Sequence, residues 1–96
     1  MKRIKKILDY YGGENQIRKT IEELDELKEA LEERHNVEHI LEECADVMVM
    51  LNQLSLIYDF DKEMANVVME YKIERTLLRI REEERNDTKR SEWCNT

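Results

Sequence analysis

Between residues 14 and 85 the apolar positions of this chain recur every three to four residues, the period of helices that turn one side inward. Punctuation divides that stretch. Gly12 and Gly13 break a first short segment, and Glu14 and Asn15 supply capping and dipole chemistry for a second helix over 14 to about 34. Asn36 is placed to cap a third helix reaching about residue 58, Asp59 and Asp61 interrupt again, and a fourth helix follows over 62 to about 85. Residues 86 to 96 are polar and are expected to fray unless Trp93 docks on a neighbouring subunit. The expected organisation is therefore one helical domain over 1–85 and a polar C-terminal tail over 86–96.

The faces of these helices differ. On helix two Ile17, Ile21, Leu24, Leu27 and Leu31 form an apolar arc, and Glu22, Asp25, Glu29 and Glu32 point away from it. Glu23 and Glu26 lie at the edge of the arc, on a stripe with Gln16, Lys19 and Ala30. Helix three is apolar over most of its circumference, which predicts burial on more than one side, and its narrow polar stripe holds Glu42, Glu43, Asp46 and Gln53. Helix four carries two apolar seams, one through Met64, Val67, Val68, Tyr71 and Leu78 and one through Met69, Ile73, Leu77 and Ile80, with Lys72, Arg75 and Arg79 beside the first. Two seams on one helix, and a core that must be modest in so short a chain, predict an antiparallel bundle of about four helices completed by oligomerisation as a dimer or tetramer.

Composition supports an all-α class: 96 residues with no proline, only two glycines and 41% charged residues, rich in good helix formers. A formal charge of −7 argues against nucleic acid as a partner, because that binding rests on Lys and Arg neutralising phosphates. No apolar run approaches the roughly 20 residues of a membrane span, and "MKRIKKILDYYGG" lacks a signal-peptide core, so a cytoplasmic protein is expected. Cys44 and Cys94 have no metal or redox spacing and read as reduced thiols.

If helices two and three form a hairpin turning at His35 and Asn36, positions that face each other have a constant sum. Glu23 then faces Asp46 and Glu26 faces Glu43, so an E-x-x-E pair and an E-x-x-D pair converge, each spanning about 4.5 Å of helix rise. Four carboxylates about 6 Å apart repel by roughly 3 kcal/mol per pair at an effective dielectric near 20. Protonation, pairing with Lys19 or helix four, or a divalent cation relieves this, and an all-oxygen set suits Mg²⁺, with Mn²⁺ as the alternative, far better than zinc.

"IEELDEL" followed by "LEECADVMVML", with sixteen residues between the two acidic motifs, resembles the MazG-like all-α nucleoside triphosphate pyrophosphohydrolases. The likeness runs from "YYGGENQ" to "EYKIERTLLRI". It implies a helical bundle whose active sites form in dimers or tetramers, in which Glu23, Glu26, Glu43 and Asp46 bind Mg²⁺ and a nucleoside triphosphate is cleaved to the monophosphate and pyrophosphate. Glu23 or Glu26 would take the proton of the attacking water. Lys72 and Arg75 would touch the leaving pyrophosphate, and Gln16 would contact base or sugar. One departure from the family pattern is that Lys72 is not followed by Asn.

Competing readings accompany each of these. The plain alternative for Lys72 and Arg75 is intrahelical pairing with Glu70, Glu74 and Glu82, and for Gln16 a polar surface role. His35 and His39 have the i, i+4 spacing of a zinc pair, but a helix break at Asn36 would separate them and no third ligand is evident. The alternative for the whole chain is a non-catalytic helical assembly module that keeps the fold.

Overall fold

The computed structural model describes residues 2–34 and 36–94, with side chains described through residue 87. Four helices account for nearly all of it: α1 (Lys2–Tyr11), α2 (Gly13–Glu33), α3 (Val37–Ile57) and α4 (Lys62–Cys94). The described residues contain no strand, and the all-α class follows. The chain divides into two units, α1 to α3 with the turn through Asp61, and α4.

Local chemistry accounts for the boundaries. Gly12 takes φ 88°, a conformation that a side chain disfavours, and its N–H still closes α1 on the Leu8 carbonyl at 2.8 Å. Gly12 rather than Glu14 or Asn15 occupies the cap position of α2. Glu14 lies in the first turn, where its charge suits the helix dipole, while the Asn15 amide donates back to the Tyr11 carbonyl at 2.7 Å and so satisfies the end of α1. Arg34 ends α2 in the left-handed region at φ 63°, and Asn36 caps α3 as expected, its Oδ1 accepting from the His39 N–H at 3.0 Å. The expected fraying tail is not seen in the backbone: α4 continues past residue 85 to Cys94. His35, the final two residues, and the Trp93 and Cys94 side chains lie outside the described set.

The α2–α3 contact is more polar than the apolar patterning predicts. Gln16, Thr20, Glu23 and Ala30 of α2 are buried, and across from them so are Glu43, Val47, Met50 and Gln53 of α3. The inward face of α2 is thus the stripe that carries Glu23, not the apolar arc beside it. Ile21, Leu24 and Leu31 are 57%, 46% and 49% exposed. Helix α3 is likewise buried on one side rather than several, with Leu41, Met48 and Leu51 exposed. In α4 none of the described side chains is buried. Among the described residues no helix is long and apolar enough to cross a membrane.

Candidate functional site

Two turns separate Gln16 from Glu23 on α2, and two turns separate Asp46 from Gln53 on α3, so an antiparallel pair of helices brings four polar residues into two layers. In the first layer the Gln16 amide Nε2 donates to Gln53 Oε1 at 2.6 Å. Gln53 is 1% exposed, and its own amide reaches only the Met50 sulfur, at 3.6 Å. Beside this layer the buried Thr20 hydroxyl donates to the Gln16 carbonyl at 2.7 Å. The constant-sum rule that pairs Glu23 with Asp46 also pairs Gln16 with Gln53, so this contact was accessible from sequence through the register alone.

The second layer is the carboxylate cluster. One oxygen from each of Glu23, Glu43 and Asp46 lies within 4.8 Å of the others. Glu23 and Glu43 are 6% and 8% exposed, whereas Asp46 opens to solvent. Glu26, the fourth expected ligand, falls outside this group and is exposed.

Charge compensation in the cluster is partial. Lys19 Nζ lies 3.1 Å from Glu23 Oε1 and 3.8 Å from Glu22 Oε2. The hydrogen bond to Glu23, then its charge, holds the Lys19 ammonium above its ordinary pKa of 10.5, with smaller help from Glu22 and Glu26. His39 Nδ1 approaches Glu43 Oε1 at 3.9 Å. The second oxygens, Glu23 Oε2 and Glu43 Oε2, are buried without a hydrogen-bond partner. Buried carboxylate oxygens left unpaired are costly, and one on each of two members of the same trio fits a hard cation that takes oxygen ligands.

A cavity of about 620 Å³ opens beside the cluster. Glu23 and Asp46 form one part of its lining, Gln16, Gln53 and Met50 another, and Ile7 and Tyr11 of α1 close a third. Its size falls within the 300–1,000 Å³ typical of small-molecule sites. Arg18 and Lys19 also line it, so α2 itself supplies positive charge that sequence reasoning assigned to helix four. Lys72 and Arg75 are exposed on α4, where the Lys72 carbonyl accepts the Thr76 hydroxyl at 2.8 Å and the Arg75 guanidinium lies 5.9 Å from the Tyr71 ring centre.

No protein-family model, curated protein or solved structure matches the chain.

Proposed function

We propose that the chain is a Mg²⁺-dependent nucleoside triphosphate pyrophosphohydrolase, cleaving a (deoxy)nucleoside triphosphate to the monophosphate and pyrophosphate. The observation that carries the reading is the trio Glu23, Glu43 and Asp46: Glu23 and Glu43 each bury an unpartnered oxygen, and Glu23 and Asp46 line a cavity of small-molecule size. The two acidic motifs that resemble those of MazG-like enzymes point the same way.

In this reading Glu23, Glu43 and Asp46 hold the metal, which supplies neutralisation of phosphate charge and acidification of water. Glu26 has a different task. Exposed and outside the trio, it is free to accept the proton as water attacks the phosphorus and the bond to the leaving pyrophosphate breaks. Arg18 and Lys19 meet the phosphates at the cavity wall, Gln16 lies at the nucleoside end, and Lys72 and Arg75 remain candidates for the pyrophosphate through a subunit assembly.

The test is pyrophosphate release from a panel of nucleoside triphosphates with Mg²⁺, run alongside Mn²⁺ binding. Glu23→Gln, Glu43→Gln and Asp46→Asn should lose both metal affinity and turnover, the latter by about 100-fold or more, since even residues that merely support a metal ligand cost roughly 10 to 100-fold. Glu26→Gln should keep Mn²⁺ affinity and lose turnover by roughly 10²-fold or more. Asp25→Asn and Glu29→Gln should leave both near wild type. Equal losses across all these acids would mean that only net charge matters, and Mn²⁺ binding without release of pyrophosphate from any nucleotide would favour the assembly-module reading.

A further inference from the structure

Lys19 stands between two carboxylates of different burial. The side chain of Glu23 is 7% exposed and that of Glu22 is 66% exposed, while Lys19 is 49% exposed, so its ammonium reaches inward from the cavity mouth. It meets the buried partner at 3.1 Å and the outer one at 3.8 Å. Glu22, an ordinary surface acid by helical position, therefore gives the ammonium a second anchor nearer to water.

Glu23 cannot serve two cations equally. A divalent ion drawn to the unpartnered Oε2 of Glu23 and of Glu43 brings positive charge within a few ångströms of the Lys19 ammonium, and the two repel across the same carboxylate. A lysine is suited to yield, because its charge is compact and its four-carbon stem rotates freely, and Lys19 already lines the cavity beside Asp46. We propose that Lys19 is an exchangeable counter-ion, which neutralises Glu23 before metal binds and then moves out toward Glu22 to bind the phosphate chain of the substrate. This rests on the metal-site reading above but not on hydrolysis.

The experiment compares the full-length wild type with Lys19→Met, which keeps an unbranched stem, Lys19→Arg, which keeps the charge, and Lys28→Met, a charge-matched control on the same helix. Two affinities are measured by calorimetry: Mn²⁺ alone, and inorganic tripolyphosphate at saturating Mg²⁺. Lys19→Met should bind Mn²⁺ about tenfold tighter and tripolyphosphate about tenfold weaker, an ordinary size for coupling between two ligands. Lys19→Arg and Lys28→Met should stay within about twofold of wild type for Mn²⁺ by the same scale. Opposite signs are the signature. A clamp that merely orients Glu23 would give weaker Mn²⁺ binding in Lys19→Met, and unchanged Mn²⁺ binding would equally overturn the exchange. Tighter Mn²⁺ binding with undiminished tripolyphosphate binding would remove the phosphate role, and equal tightening in Lys28→Met would reduce the effect to net charge. Absence of Mn²⁺ binding in the wild type itself would mark failure of the metal site and not of Lys19.

Discussion

Gln53 is the least exposed of the buried residues, and it is an amide in a place where a leucine would be the simpler choice. Its Oε1 accepts from Gln16, so replacing one partner leaves the other without its bond in a buried contact between two helices. Gln53→Leu should lower stability by about 1–3 kcal/mol, the usual cost of leaving a buried polar group unsatisfied, while Gln16→Leu combined with Gln53→Leu should recover most of the loss. Urea denaturation of the two single variants and the double variant checks this as a mutant cycle. Additive losses would mean that the amides do not act as a pair. At this scale much of the site was readable: Glu23 and Asp46 follow from motif spacing, and the same register sum reaches Gln16 and Gln53. The role of Lys19 was less readable, because i, i+3 and i, i+4 acids occur along most charged helices and only burial distinguishes Glu23 from Glu22.

At the level of the helices, starts and stops follow where one residue's chemistry decides them. Asn36 is such a case, a cap whose side chain satisfies an otherwise orphaned N–H. Asn36→Ala should cost about 1 kcal/mol, seen as a lower thermal midpoint, and Asn36→Asp should restore it, since either side chain offers the accepting oxygen. Equal melting of the Ala and wild-type proteins would mean that the hairpin is held without its cap. The start of α2 was harder to read because Asn15 has two uses, capping its own helix or closing the one before, and the glycine turn at φ 88° selects the second. The end of α4 is hard to read for a related reason: a polar run resembles a tail, yet no proline or glycine follows residue 85 to stop a helix already formed, and α4 runs on to Cys94.

For the whole molecule the deciding quantity is apolar surface. Only Ala30, Val47 and Met50 are buried hydrophobic residues among those described, while Ile21, Leu24 and Leu31 on α2 and Leu41, Met48 and Leu51 on α3 are each 46% exposed or more. Side chains of that size stabilise a fold by about 1.5–3 kcal/mol each when fully covered, so a chain that leaves them in water forgoes most of its driving force. The apolar pattern was legible in the sequence, but a pattern does not say which surface covers it. A second copy of the chain is the expected cover, giving a dimer or tetramer at micromolar concentration. With a net charge of −7 on each copy, association should tighten as salt screens the repulsion, the reverse of an interface held by ion pairs. Sedimentation at low and high salt reads this directly. Leu24→Asp should shift the mass toward monomer and lower the melting temperature together, because assembly and folding draw on the same surface. A wild-type chain that stays monomeric and folded at micromolar concentration would mean that the chain covers its own apolar face, and the assembly would then be wrong.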